Sequence, residues 1–346
     1  MKPTTTNTAD KVRDAMMKAL RKAQGDDAVV NLRGGAARVE ALPSGVEVLD
    51  GFVVGVGGLP RGRIVEVFGE ESCGKSSFAQ VCMAAVQRIG GTAALVETEH
   101  AFDPDRAAVL GLDLDRLVMS QPDCLEDALL TVETLLDTLP DAHPSIIVWD
   151  SIAATPTRTE IENGVVPEGE GMAEYARTMS RALRVMCGKV AAKNTVLVVT
   201  NQTRSKVGVT FGNPLTTAGG KALKFYASVR LSFSTGEAVK DGSALIGRDA
   251  LVTAVKNKVR APGRSARVRL LFDRRGYDNR WSTINFAKDH GALPEGAKAT
   301  DATHTKALDA LAKHPELWTA PLTPRPASVP AATEASDDDV PPAEGA

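Results

Sequence analysis

Ile64-Val65-Glu66-Val67-Phe68, then Gly69-Glu70-Glu71-Ser72-Cys73-Gly74-Lys75-Ser76, then Ser77 through Arg88, is the stretch that decides the fold. The first five residues read as a short apolar strand and the last segment, rich in Ala, Met, Val and Gln, reads as a helix. The eight residues between them fit G-x-x-x-x-G-K-[ST], and a strand before and a helix after are the context in which that pattern carries meaning. With glycine near 7% of residues, the pattern alone arises by chance about once or twice in a hundred such chains. Its chemistry is specific. Glycines let backbone N–H groups turn inward around phosphate oxygens, and the helix N-terminus adds partial positive charge. Lys75 reaches the β and γ phosphates and Ser76 is expected to ligate Mg²⁺. Gly69, Glu70, Glu71, Ser72, Cys73, Gly74, Lys75, Ser76 and the adjoining Ser77 are therefore expected to form a nucleoside triphosphate site.

Working outward, short apolar runs alternate with helical stretches, the pattern of an α/β fold with a mostly parallel sheet and crossover helices. Strands are predicted at Ile64–Phe68, Ala93–Val96, Ile146–Trp149, Thr195–Thr200 and Val229–Phe233, and helices at Lys75–Arg88, Leu125–Thr138 and Glu174–Ala192. Ligands in such folds bind beyond the C-terminal strand ends. Asp150 closes the run Ile146–Trp149, as a carboxylate presented to a magnesium shell does. Glu99 stands where it could deprotonate an attacking water, or is an ordinary strand-end acid. Gln202 could touch a γ-phosphate through its amide or make a structural hydrogen bond.

The 346 residues suit one large core with small appendages. Cys73, Cys82, Cys124 and Cys187 have no CxxC spacing, which argues against a disulfide framework or zinc site and fits a reducing cytoplasm. The polar N-terminus and the lack of an apolar run of ~20 residues argue against a membrane partner. The net charge of −2 conceals a polarity: Ala173 to Thr235 holds ten Lys/Arg against Glu174 alone, a balance of +9. Arg248 to Arg280 carries ten more basic residues against three Asp. Such blocks suit a polyanion, or are solvated helix faces. An amphipathic helix is expected over Ala9–Gln24, and another near Thr305–Lys313. From Pro321 the chain is rich in Pro, Ala and acid and is expected to be a disordered tail.

Longer motifs narrow the reading. Glu97-Thr98-Glu99-His100-Ala101-Phe102-Asp103-Pro104, Trp149-Asp150-Ser151-Ile152-Ala153-Ala154, the run from Thr200 to Pro214, the run from Thr216 to Arg230, and Val255-Lys256-Asn257-Lys258 resemble the bacterial RecA recombinases. The resemblance runs from about Ser44 to Arg269 in one order, whereas ordinary P-loop kinases share only the first motif. It implies a RecA-type P-loop ATPase core at 39–276, with an N-terminal oligomerisation helix and linker at 1–38. A small C-terminal α/β domain would occupy 277–320, before the acidic tail at 321–346. It further implies that Glu99 activates water, that Gln202 senses the γ-phosphate and that Lys256 and Lys258 reach an ATP held by the adjacent protomer. Asp103 and Arg106 fall at the adenine.

By the same resemblance, 160–172 and 202–220 become DNA loops. Met172, Arg177, Ser180, Arg184, Arg204, Ser205, Lys206, Gly219 and Gly220 would lie near the phosphate backbone, with Val207 wedged between base groups. Lys224, Phe225 and Arg230 fall in the subunit-interface segment. The implied function is an ATP- and Mg²⁺-using, DNA-dependent ATPase that forms a helical filament on single-stranded DNA and pairs it with homologous duplex. The implied partners are a LexA-like repressor and a single-strand-binding protein. Three departures stand out: Arg106 replaces the family's usual adenine-stacking tyrosine, the first loop carries an insertion around Val165-Val166-Pro167, and the C-terminal domain is short. Two rivals stay open: a filament serving chiefly as a signalling scaffold, and a P-loop enzyme acting on a small molecule.

Overall fold

The computed structural model describes residues 8–25, 39–164, 170–205, 215–217, 222–272 and 276–319. Residues up to Val39 form one compact unit and Glu40 onward a second. The first contains α1 (Thr8–Gln24), where Val12, Met16 and Leu20 recur every fourth residue and are all exposed. Asp10 in its first turn and Arg21 and Lys22 in its last suit the helix dipole.

The second unit opens with β1 (Ala41–Leu42) and β2 (Leu59–Pro60), which pair antiparallel around a π-helical turn, Leu49–Val53. The core follows as β3 (Arg63–Gly69), α2 (Lys75–Arg88), β4 (Thr92–Glu97), α3 (Pro104–Val109), β5 (Leu117–Ser120) and α4 (Leu125–Thr138). It continues as β6 (Ser145–Asp150), α5 (Arg158–Asn163), α6 (Glu170–Lys193), β7 (Val196–Ser205), β8 (Leu215–Thr217) and α7 (Ala222–Tyr226). The last elements are β9 (Val229–Asp241), β10 (Ala244–Asn257), β11 (Ser265–Leu271), α8 (Asn279–Asp289) and α9 (Asp301–Leu311). Among the described residues one sheet runs β11-β10-β9-β3-β7-β6-β4-β5, with β8 beside β7. From β9 through β3 to β5 neighbouring strands are parallel, whereas β9, β10 and β11 are antiparallel.

The parallel strands bury both faces. Val65, Val67, Ile146, Val148, Val196 and Val198 enter a core under α2 and α8. Ile64, Ile147, Trp149, Leu197 and Val199 enter a second core under α4 and α6. Two-sided burial explains why these strands read as continuous apolar runs, and each fully buried Val, Leu, Ile or Phe contributes about 1.5–3 kcal/mol.

The predicted strands sit within β3, β4, β6 and β9, the one at Thr195–Thr200 overlaps β7 from Val196, the helices Lys75–Arg88 and Leu125–Thr138 coincide with α2 and α4, and Glu174–Ala192 lies within α6. Elsewhere the structure corrects the expectation. The helix placed at Thr305–Lys313 starts earlier, at Asp301, because the Thr300 side chain caps it by accepting from Thr303 N. α8 was not anticipated. Ile284, Phe286, Ala287, Ala307, Leu311 and Trp318 join the cluster that holds Val65 and Val252. The acidic tail at 321–346 lies outside the described residues.

Candidate nucleotide site and nucleic-acid face

Register brings the functional strand ends level. Gly69 of β3 stands opposite Gln202 of β7, and Glu97 of β4 opposite Asp150 of β6. The loop from Gly69 to Lys75 turns through left-handed Ser72 (φ 57°) and Gly74 (φ 97°). A Cβ on Gly69 would lie 2.2 Å from the Phe233 carbonyl oxygen, so only glycine fits the approach of β9. Lys75, 8% exposed, donates from Nζ to the carbonyls of Glu70 (2.5 Å) and Gly69 (3.2 Å), which holds its charge inside the loop. A cleft of about 440 Å³ is lined by this loop together with Glu99, Arg106, Asp150, Gln202, Leu270 and Phe272.

Around that cleft the polar groups are mutually oriented. Ser151 Oγ donates to Glu99 Oε1, and Gln202 Nε2 lies 3.4 Å from the same oxygen. Glu97, 4% exposed, fixes the turn that carries Glu99: its Oε1 accepts from the backbone N of Glu99 and Ala101, and its Oε2 from Gln121 Nε2. Asp150 accepts from Thr200 Oγ1 at 2.5 Å. Burial raises its carboxyl above the usual range, hydrogen bonds from Thr200 and Ser76 pull it back, and the negative charges of Glu99 and Glu97 raise it further. A buried carboxylate beside a serine hydroxyl and two further acids is a hard-oxygen setting whose charge a divalent cation relieves. Ser76 and Asp150 thus fit a magnesium ion and would hold it there. Among the described residues no three His, Cys, Asp or Glu side chains form an all-protein metal cage.

At the wall of the cleft formed by α3 and the end of β11, side chains are tied to backbone. Arg106 donates from Nη1 to Phe272 O (2.8 Å) and from Nη2 to Leu271 O (3.3 Å), so its guanidinium ties α3 to the end of β11. Asp103 caps α3 through Arg106 N at 3.0 Å. Phe272, 45% exposed, is the aromatic ring on this wall, and Tyr277 reaches the loop from behind by donating to Gly74 O at 3.2 Å. The sequence reading missed Phe272 and Tyr277 because they follow a strand it did not see. Glu97, Ser151 and Thr200 stood inside quoted motifs and were legible as the polar neighbours of Glu99 and Asp150.

On β10, Lys256 donates to the carbonyls of Lys224 (2.6 Å) and Phe225 (3.0 Å), while the Phe225 ring is exposed. Lys258, Arg63, Phe225 and Tyr226 line a second cavity of about 550 Å³. On α6, Met179, Leu183, Met186 and Val190 face the core, which leaves Arg177, Ser180, Arg181 and Arg184 together on the exposed side. Lys189 is paired with Glu133 (2.6 Å) and Asp137 (2.8 Å), and Lys193 with Asp141 (2.9 Å), so those two cations of the +9 block are neutralised by α4 and its following turn. The side chains of Met172, Arg204 and Ser205, and the residues Lys206, Val207, Gly219 and Gly220, lie outside the described residues.

A family model described as the RecA N-terminal domain matches residues 11–276. The chain is 43% identical to Protein RecA of Acholeplasma laidlawii over 267 residues, 77% of this chain and 79% of that protein. It is 41% identical to Protein RecA of Thermus thermophilus over 310 residues, 87% and 89% of the two chains. The chain belongs to the RecA family. The crystal structure of the RadB recombinase shares its fold, with a TM-score of 0.51 and 22% identity over 68% of this chain and 98% of that one.

As a RecA-family protein it is a DNA-dependent ATPase and recombinase of DNA repair that uses ATP with Mg²⁺, binds DNA and forms filaments. When bound, magnesium supplies charge neutralisation on the β and γ phosphates. In this structure Lys75 is held within the loop, and Glu99, just beyond β4, meets Gln202 of β7 across the intervening β6 in the cleft that the loop lines. Among the described residues, no helix is long and apolar enough to cross a membrane.

Proposed function

We propose that the cleft hydrolyses ATP with Glu99 as the general base for the attacking water and Gln202 as the group that reads the γ-phosphate. Lys75 and the loop Gly69–Ser77 hold the phosphates, Ser76 and Asp150 hold magnesium, and Asp103 and Arg106 lie toward the adenine. The observation that carries this reading is the meeting of Ser151, Gln202 and Glu99 at one carboxylate oxygen, level with the phosphate loop. A general base needs a fixed orientation before it needs a shifted pKa, and two donors on one oxygen leave the other free to accept a proton.

Arg177, Ser180 and Arg184 on the exposed side of α6, with Met172, Arg204, Ser205, Lys206, Val207, Gly219 and Gly220, form the single-strand track. Its cations meet backbone phosphates and release counterions. Lys224, Phe225 and Arg230 form the subunit interface, across which Lys256 and Lys258 approach the neighbour's ATP. The filament pairs its strand with homologous duplex, stimulates self-cleavage of a LexA-like repressor and displaces a single-strand-binding protein, in the cytoplasm. The segment 1–38 carries the oligomerisation helix, 39–276 the ATPase core, 277–320 the small C-terminal part and 321–346 an acidic tail.

The deciding experiment is ATP hydrolysis with and without single-stranded DNA, alongside imaging of the products and strand exchange between circular single strands and linear duplex. DNA-stimulated turnover with filaments and exchange is expected. Turnover indifferent to DNA would show a small-molecule P-loop enzyme, and filaments that promote repressor cleavage without exchange would show a signalling scaffold.

A further inference from the structure

Glu66, three residues before the phosphate loop on the central strand β3, is completely buried, yet none of the chemistry above uses its carboxylate. Its two oxygens face in opposite directions along a row that crosses the sheet. Oε1 accepts from Asn201 Nδ2 of β7 at 3.1 Å, and Oε2 accepts from Arg230 Nε of β9. Glu66 and Arg230 are direct cross-strand partners, and so are Arg230 and Lys256 of β10. The row is therefore built into the strand register. Arg230 is held from a second side by the Phe68 ring, 4.5 Å from its guanidinium carbon to the ring centroid.

Each end of the row stops at a group with a function. At the β7 end, Asn201 Oδ1 accepts from the backbone N of Gln202 at 2.9 Å, while the Gln202 amide lies 3.4 Å from Glu99 Oε1. At the β10 end, Lys256 Nζ donates to the last carbonyls of α7, those of Lys224 and Phe225. Lys256 lies among cations: partial burial lowers its pKa first, Lys258 and Arg230 lower it further, and Glu66 raises it. Glu66 supplies the negative charge of the row, and removing its fully buried carboxylate takes the acceptor from Arg230 Nε and breaks this bond from Asn201. Any shift of β7 at Asn201 must then either move Glu66 or break a buried hydrogen bond, and Glu66 cannot move without Arg230.

We infer that Glu66 is a positioning residue that couples the γ-phosphate reading of Gln202 in one protomer to Arg230, Lys256 and the exposed Phe225 face presented to the next. The inference rests on the roles proposed above for Gln202 and for the Lys256 face. It predicts that ATP sites along a filament communicate through this row, so that breaking it separates nucleotide binding within a protomer from cooperativity between protomers.

The test uses the full-length protein on single-stranded DNA, with ATP varied, in wild type, Glu66→Gln, Arg230→Lys and Gln202→Ala. Hydrolysis gives the Hill coefficient and half-saturating ATP. Binding of a fluorescent ATP analogue without DNA, at salt high enough to disperse filaments, gives the affinity of the single site, and thermal unfolding reports folding. Glu66→Gln is expected to keep single-site affinity within about twofold, while the Hill coefficient falls to about one and half-saturating ATP on DNA rises about fivefold or more, the usual span of a coupling between sites. Arg230→Lys keeps the charge and loses the Nε–H that meets Glu66, so it should show the same split, and it decides the matter if Glu66→Gln fails to fold. The Glu66→Gln, Arg230→Lys double variant should be no less cooperative than either single one. Wild-type cooperativity in a folded Glu66→Gln or in Arg230→Lys, with cooperativity lost in Gln202→Ala, overturns the coupling by Glu66. Wild-type cooperativity in Gln202→Ala overturns instead the γ-phosphate reading on which it rests. A loss of single-site affinity in step with the loss of cooperativity reduces Glu66 to a structural residue of the phosphate loop.

Discussion

The parallel half of the sheet, β3-β7-β6-β4-β5, and its antiparallel wing, β9-β10-β11, are continuous through one ladder but solve burial differently. In the parallel half successive residues such as Ile146, Ile147, Val148 and Trp149 bury against helices on both faces, which leaves polar side chains room mainly at the strand ends. The carboxylates, amide and ammonium of the cleft stand there. In the wing one face carries Val252, Ala254, Val268 and Leu270 into the core, while Leu251, Val255 and Arg267 on the other are exposed. Polar residues can then run along the strands, and ion pairs such as Arg269–Asp249 (2.7 Å) occur mid-strand. Two-sided burial concentrates chemistry at one edge of the sheet; one-sided burial spreads recognition across a face. Substitutions at the strand ends of the parallel half should therefore strike turnover first, whereas those that disturb packing in the shared core should strike folding first.

The largest effect is expected from Lys75→Ala, which removes the point charge on the transferred phosphate. DNA-stimulated hydrolysis should fall by on the order of 10³ while thermal unfolding hardly changes, and turnover near wild type would break the assignment of the loop. Glu99→Gln keeps the shape and the contacts with Ser151 and Gln202 but removes the base, so turnover should drop about a hundredfold with ATP and DNA binding retained. Normal hydrolysis would move the base elsewhere.

Asp150→Asn sharpens the contrast by separating function from stability in one residue. Because burial raises its carboxyl, the folded chain keeps that proton to higher pH than the unfolded chain. The contribution of this group to stability therefore falls as pH rises from the ordinary carboxyl range through the raised value, and the charge opposes folding at neutral pH. The asparagine form should unfold at a higher temperature than wild type at pH 7 without nucleotide. That advantage should vanish below about pH 4, where the aspartate is neutral in both states. Magnesium-dependent hydrolysis should fall at least about tenfold. A lower unfolding temperature at pH 7 would mean that the hydrogen bond from Thr200 outweighs the burial of the charge.

Gly51→Ala tests the other side. A Cβ there would lie 2.7 to 2.9 Å from carbons of the Trp318 ring, and the neighbouring Thr319 N is bonded to Gly51 O at 2.9 Å. Overpacking of this kind costs about 1–3 kcal/mol, or roughly 2–8 °C in unfolding temperature. Turnover per folded protomer should stay within about twofold, since the contact lies beneath α8 and away from the phosphate loop. Trp318→Leu in the same chain should recover part of the loss.

The legibility of the sequence follows the same division. The parallel strands were readable because two-sided burial writes uninterrupted apolar runs, and the cleft because its residues follow those runs within a few positions. β10 and β11 were not, since Arg248, Asp249, Arg267 and Arg269 interrupt their apolar residues and the exposed part of β9 from Ser234 onward carries few apolar residues. α8 buries polar Ser282 and Thr283 alongside Ile284, Phe286 and Ala287, so its polar and apolar residues do not separate onto two faces and it lacks the periodicity of a surface helix. Phe272 and Tyr277 were missed with the strand they follow. Glu66 was quoted inside the deciding stretch yet passed over, because a lone acid in an apolar strand shows its meaning only when Asn201 and Arg230 are brought beside it.

Arg106 carries the smallest expected effect and the most discriminating one, because it belongs to the parallel half by sequence and to the wing by contact. A tyrosine at this position would stack a ring on the adenine; the guanidinium instead places Nη1 and Nη2 on the carbonyls of Phe272 and Leu271, so its plane is set by β11. Its expected action on the base is indirect, through the placement of Phe272. Arg106→Ala should loosen that wall and raise KM for ATP about three- to tenfold with kcat unchanged, the signature of lost uniform binding and a discounted fraction of two charge-assisted hydrogen bonds at a partly exposed site. Arg106→Lys, which can reach one carbonyl, should fall between. Arg106→Tyr loses the tie but gains a ring, so KM for ATP should return toward wild type while KM for GTP does not, widening the preference between the two. The measurement is KM and kcat for ATP and GTP per DNA-bound protomer in all four proteins. A fall in kcat would place Arg106 among the groups that act on the phosphates, and equal KM values across the four would show that the end of β11 holds the base wall without it.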